Sequence, residues 1–163
     1  MSIENTMQIP GEYSIVATPG ARTAGAAPST WEDGHAAARA ATAPARILVV
    51  DDDPIILTLV ESVLQTEQFQ VATAKDGYHG IELLHRDRGI SVVILDWRMP
   101  GISGEQVFDQ LAAIRPDVKV IVASGESPVE VRRAFSGRNV LNFLPKPFNI
   151  HVLVTAVKSA LAA

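Results

Sequence analysis

The sequence predicts an α/β fold built on a doubly wound, five-stranded parallel sheet, and three observations predict it. Short runs rich in Val, Ile and Leu recur about every 22 to 25 residues from Arg46 onward. Segments with helical spacing separate them. The runs are near-continuously apolar, as strands covered on both faces are.

Taken in order, the strand runs are Ile47–Val50, Phe69–Ala72, Val92–Leu95, Val118–Val122 and Val140–Leu144. Asp53-Pro54 predicts the first helix start, a capping carboxylate followed by proline in the first turn. That helix carries Ile55, Leu59, Ser62 and Val63, with Ile56 and Val60, as its inward stripe. Ile81, Leu84 and His85 mark the second helix, and Val107, Leu111 and Ile114 the third, which Gly104 opens. Asn149 is expected to cap the last helix, with Ile150, Leu153, Val154, Val157 and Leu161 turned inward.

Composition changes sharply near Ala45. Residues 1–45 hold Pro10, Pro19, Pro28, Pro44 and 4 glycines, with no periodic apolar pattern. They are expected to form an unstructured N-terminal tail, apart from a short helix near residues 30–41 that Ser29 would cap. Residues 46–163 are expected to form the one folded domain.

A net charge of −4 argues against general affinity for nucleic acid. The chain has no cysteine, which removes disulfides, thiolate metal sites and cysteine nucleophiles. No apolar run approaches the roughly 18 residues of a membrane span, and the N-terminus lacks a secretory pattern. The expected location is therefore the cytoplasm.

Ligands of such sheets bind beyond the carboxyl ends of the strands. Here those ends carry Asp51-Asp52-Asp53, then Asp96, then Ser124, then Lys146. Clustered carboxylates repel one another unless a cation intervenes, and a hard ion bound through oxygen suits them. Mg²⁺ is the expected metal, with Mn²⁺ able to substitute. A carboxylate can attack phosphorus and become an aspartyl phosphate, with the metal and Lys146 neutralising the transferred charge. Asp53 is read only as a helix cap.

Four segments, ILVVDDDP at 47–54, VVILDWRMPGISG at 92–104, VIVASGE at 120–126 and FLPKPF at 143–148, resemble the receiver domains of two-component response regulators. The resemblance spans residues 46 to 162. It implies a (βα)5, flavodoxin-like receiver fold with strand order 2-1-3-4-5. It implies phosphorylation of Asp96 and metal binding by Asp51, Asp52, Asp96 and the backbone carbonyl of Arg98. Lys146 and Ser124 would bind phosphoryl oxygens, and the Lys146–Pro147 bond would be cis. The implied switch couples Ser124 to Phe143, which turns inward when Ser124 moves toward the phosphate. Without a hydroxyl, Phe143 should switch less sharply than a tyrosine.

The implied activity is that of a signalling switch rather than a general enzyme, one that catalyses its own phosphorylation and dephosphorylation. The donor would be a histidine kinase or a histidine phosphotransfer protein. With no effector domain after residue 163, output is expected through protein contacts at the face of helix four, strand five and helix five. Arg132, Arg133 and Arg138 would rim that face, and Val152 and Ala156 would be exposed on it. A downstream protein, the kinase or a homodimer mate fits it better than DNA.

A phosphorelay intermediate, or the receiver part of a hybrid histidine kinase, is the alternative. A phosphorylation-independent scaffold would not need the full acidic set. A hydrolase of the haloacid dehalogenase type would need a second aspartate where Arg98 stands. Arg98 and Glu126 are expected to flank the mouth of the site, Trp97 to be a partly exposed rim residue, and the 4 histidines to lie at the surface.

Overall fold

The computed structural model describes residues 45–163; the expected tail and its Ser29-capped helix lie outside the described residues. Five strands alternate with five helices: β1 (Arg46–Val50), α1 (Pro54–Thr66), β2 (Gln70–Ala74), α2 (Gly77–Arg86), β3 (Ile90–Asp96), α3 (Gly104–Ile114), β4 (Lys119–Ser124), α4 (Pro128–Ala134), β5 (Asn142–Pro145) and α5 (Ile150–Ala162). The strands form one parallel sheet in the order β2-β1-β3-β4-β5. The fold class is the one the sequence predicts, and the strand order is the one the resemblance to receiver domains implies.

Alternation along the strands divides the core into two layers. Leu48, Val50, Val93, Leu95, Val120 and Val122 face α2, α3 and α4, where Leu84, Leu111 and Val131 meet them. Ile47, Val49, Val92, Ile94 and Ile121 face α1 and α5, meeting Val60, Leu64, Leu153 and Val157. Local chemistry starts each helix. Asp53 accepts the Ile55 amide at 2.8 Å and Asn149 the His151 amide at 2.8 Å. Ser103 with Gln106, and Ser127 with Glu130, form reciprocal capping boxes at α3 and α4.

Several expectations need correction. On α1 the buried residues are Val60 and Leu64, while Ile55 and Leu59 are 73% and 47% exposed and Ser62 is also exposed. The helix is apolar on two sides, so periodicity alone could not choose between them. Ile150 is exposed because it opens α5 before the helix settles on the sheet. Ala156 is buried rather than exposed, its small side chain letting α5 approach β4 and β5 closely. His85 faces solvent, as expected of the histidines. Among the described residues, no helix is long and apolar enough to cross a membrane.

Candidate functional site

The parallel topology brings every strand's carboxyl end to one rim, and three of those ends supply the buried polar side chains Asp51, Asp96 and Ser124. Asp51 directly follows β1 and accepts the Asp53 amide at 3.0 Å, which fixes its carboxylate. Asp52 points to solvent. Oxygens of Asp51, Asp52 and Asp96 nevertheless all lie within 4.8 Å of one another. The donor set is oxygen only, as a hard divalent cation requires.

Lys146 directly follows β5 and precedes the cis Lys146–Pro147 bond, and its amide donates to the Ser124 carbonyl at 2.6 Å. The side chain reaches back over the rim. Its ammonium donates to Asp51 at 2.6 Å and pairs with Asp96 at 3.0 Å. Lys146 thus bridges two acids, leaning closer to Asp51 than to Asp96. Burial pushes the Asp96 carboxyl above the usual aspartate range; Lys146 pulls it down, but Asp51 and Asp52 push it up again. For Lys146, burial favours the neutral amine, yet its bonds to Asp51 and Asp96 prevail and hold it above the ordinary lysine value.

Ser124 accepts the Glu126 amide through its hydroxyl oxygen at 3.0 Å, leaving its proton free to donate elsewhere. Arg98 and Glu126 are exposed, and their side chains pair at 3.5 Å. The Arg98 guanidinium also lies over the Trp97 ring, 4.1 Å from its centre. Trp97 is buried at 5% exposure rather than standing at the rim. Its backbone carbonyl accepts the Gly104 amide at 3.2 Å, and a Cβ on Gly104 would come within 2.8 Å of that same oxygen. Only glycine lets α3 start this close to the loop after β3.

Phe143 on β5 is half-buried and borders two spaces. One, of about 200 Å³, lies beside Ser124 under Pro128 and Val131 of α4. The other is an open groove of about 340 Å³ along Val152, Thr155 and Ser159 of α5. Arg132, Arg133 and Val152 are exposed on this side. Phe135, which the sequence reading passed over, sits among Trp97, Phe108 and Phe143. A lone aromatic just after a short basic helix gives no periodic signal by which to find it.

The sequence profile of the family described as "Response regulator receiver domain" matches residues 47–158. The chain belongs to the response regulator receiver domain family. Among curated relatives, this receiver is 34% identical over 118 residues to the transcriptional regulatory protein GlrR of Escherichia coli, covering 72% of this chain and 26% of GlrR. It is 38% identical over 116 residues to the transcriptional regulatory protein PrrA of Mycobacterium tuberculosis, covering 71% of this chain and 49% of PrrA. The chain therefore spans a quarter to half the length of these relatives. Among solved structures, the CheY-like receiver of Methanospirillum hungatei superposes with a TM-score of 0.70 at 24% identity, over 74% of this chain and 95% of that one, a likeness of fold. The response regulator TrrA of Thermotoga maritima, solved with Mg²⁺ and BeF, is 32% identical with a TM-score of 0.63, over 71% of this chain and 97% of that one. This receiver carries the acidic cluster at which receivers bind Mg²⁺.

Proposed function

We propose that this receiver is a two-component signalling switch whose phosphoryl acceptor is Asp96. One observation carries the reading. Lys146 is seated between Asp51 at 2.6 Å and Asp96 at 3.0 Å, within a cluster of three carboxylates whose oxygens lie within 4.8 Å. A buried acid, an ammonium and an oxygen-only cation site together form phosphoryl-transfer machinery.

In the proposed transfer a carboxylate oxygen of Asp96 attacks the phosphorus of a phosphohistidine on a histidine kinase or phosphotransfer protein. The new P–O bond forms as the P–N bond breaks, and the departing imidazole takes a proton from water. Lys146 holds positive charge beside the transferred oxygens, and the Ser124 hydroxyl donates its free proton to one of them. Asp51, Asp52, Asp96 and the Arg98 carbonyl would hold Mg²⁺, or Mn²⁺ in its place, which supplies further charge neutralisation when bound. Hydrolysis of the acyl phosphate by water resets the switch.

Movement of Ser124 toward the phosphoryl group would vacate space that Phe143 turns into, re-forming the face of α4, β5 and α5. Arg132, Arg133 and Val152 are the residues we assign to partner contact there; Ala156 contributes to the underlying packing. The partner is a downstream protein, the kinase or a second copy, with no direct contact to nucleic acid or membrane. We assign the receiver to residues 46–163 and its setting to the cytoplasm. The relatives' transcriptional roles belong to proteins at least about twice the matched length.

Incubation with acetyl phosphate and Mg²⁺, read by intact mass, tests the acceptor. Wild type should gain one phosphoryl group and Asp96→Asn none. A phosphoryl group retained in Asp96→Asn would sink the assignment.

A further inference from the structure

Phe135 occupies a position the switch described above does not use. It caps the C-terminus of α4 and is buried at 3% exposure. Its ring meets three others edge-on: Trp97 at 6.3 Å, Phe108 of α3 at 5.9 Å and Phe143 of β5 at 6.4 Å between centres. Trp97 is the residue that follows Asp96, and Phe143 is the β5 aromatic. One side chain therefore touches both the acceptor loop and the output strand, without passing through Ser124.

The two ends of α4 are held differently. At the C-terminal end, Arg138 donates two bonds to Asp109 of α3, both 2.7 Å, and a third to the Ala134 carbonyl at 3.0 Å. Its guanidinium also lies 6.0 Å from the centre of the Phe135 ring. This end is stapled to α3. At the N-terminal end Ser127 and Glu130 bond each other, and the side-chain tie to another element is the longer, exposed Arg98–Glu126 pair at 3.5 Å. The preceding Glu126 amide is hooked to the Ser124 hydroxyl. Beneath that end lies the cavity of about 200 Å³ bounded by Val122, Ser124, Pro128, Val131 and Phe143. A helix fixed at one end, with unfilled space under the other, can settle in two packed positions while a closely packed one cannot.

We propose that α4 pivots about Phe135 and the Arg138–Asp109 staple. Phe135 is the positioning residue of this arrangement, transmitting a change in the loop after β3 from Trp97 to Phe143. The proposal rests on Asp96 being the acceptor. It adds a second line of coupling that does not need the Ser124 hydroxyl.

Titration of the full chain with beryllofluoride and Mg²⁺, followed through its backbone amides by NMR, tests both parts. In wild type the amides of Asp96, Trp97, Val129, Val131 and Phe143 should shift on one saturation curve, with displacement falling along α4 from Val129 to a near-stationary Phe135. Phe135→Leu should leave the Asp96 and Trp97 responses intact while those of Phe143 and Val131 drop at least twofold. In a merely structural role the melting temperature would fall and that ratio would hold. Arg138→Ala leaves the aromatic cluster in place and should make Phe135 shift as much as Val129. A Phe135 response equal to that of Val129 in wild type, or an unchanged ratio in Phe135→Leu, overturns the pivot and leaves the acceptor standing. No response anywhere in wild type overturns the acceptor itself, and the pivot with it.

Discussion

Replacing Lys146 by methionine keeps the aliphatic stem and removes the charge, which isolates the electrostatic role of the side chain. Two carboxylates 4.8 Å apart repel by about 3.5 kcal/mol at an effective dielectric of about 20. Lys146 offsets this through contacts of 2.6 Å to Asp51 and 3.0 Å to Asp96. Breaking a buried ion pair by removing one partner costs about 3–5 kcal/mol. Lys146 retains 21% side-chain exposure, so water recovers part of that cost and about 3 kcal/mol is the expected loss. For a domain of this size the melting temperature should drop by roughly 10 °C in metal-free buffer. Mg²⁺ at a hundredfold excess over its dissociation constant restores about 2.7 kcal/mol by linkage, and more if the variant binds it more tightly. The same substitution made in Asp96→Asn should cost at least about 1 kcal/mol less, because one of the acids Lys146 compensates is already neutral. Calorimetry on the four proteins of this cycle, with EDTA and with Mg²⁺, supplies every quantity needed. A metal-free Lys146→Met protein melting within about 3 °C of wild type would refute the account, and so would a cost that simply adds to that of Asp96→Asn.

Arg98 and Glu126, exposed and paired at 3.5 Å across the mouth, are expected to slow water's approach to the acyl phosphate. Such a pair contributes under about 1 kcal/mol, so Arg98→Ala or Glu126→Ala should shorten the phosphoryl half-life by no more than about fivefold, and unchanged half-lives would dismiss the gate. Gly104→Ala forces a Cβ to within 2.8 Å of the Trp97 carbonyl. It should cost about 1–3 kcal/mol in urea denaturation and displace the Asp96 and Trp97 amides, whereas a neutral effect would mean α3 can slide away freely. The Arg115 guanidinium lowers the Asp117 carboxyl to about 2 from 3.8. That contribution to stability is fully present above pH 3.8 and is lost as pH falls toward 2, so Asp117→Asn should flatten the stability profile in that window. A carboxyl titration by NMR with its midpoint near 3.8 would contradict it.

The parts of this molecule legible in the sequence are those set by local chemistry. Asp53-Pro54 and Asn149 mark helix starts because capping needs only the next few residues, and apolar runs mark strands because both sheet faces are covered. The site was legible for a topological reason: in a parallel sheet every strand ends on the same rim, so Asp51, Asp96, Ser124 and Lys146 had to converge. What the sequence could not disclose depends on partners distant along the chain. Ile55 and Leu59 form as good a helical ridge as Val60 and Leu64, and the seating of α1 on β1 and β2 decides which one is covered. Trp97 is buried because Phe135 and the start of α3 close over it. Ala156 is inside because its size, not its hydropathy, fits the gap beside β5. Lys146 was legible as a neighbour of Asp96, but its shorter contact to Asp51 is set by the reach of the chain after β5.

The charges at the rim also say why the proposed phosphorylation of Asp96 should move Ser124. Three ionised carboxylates and one ammonium leave two negative charges in a largely buried site, and a divalent cation would bring the sum to zero. Turning one carboxylate into a phosphorylated one adds roughly one negative charge, judged by the charge phosphate carries at neutral pH. Lys146 is already committed to Asp51 and Asp96, so it cannot supply a new partner without leaving an old one. The uncommitted donor nearby is the Ser124 hydroxyl, whose oxygen holds the Glu126 amide while its proton stays free. Buried negative charge draws such a donor strongly, because an unpaired oxygen there costs more than the rotation that satisfies it. Since Glu126 leads into α4, any movement of Ser124 pulls on the end of the helix that rests over the cavity. In the proposed switch a phosphoryl group on Asp96 therefore needs no long-range field to act on the face of α4, β5 and α5, only one hydroxyl with a proton to give and a helix with room to follow it.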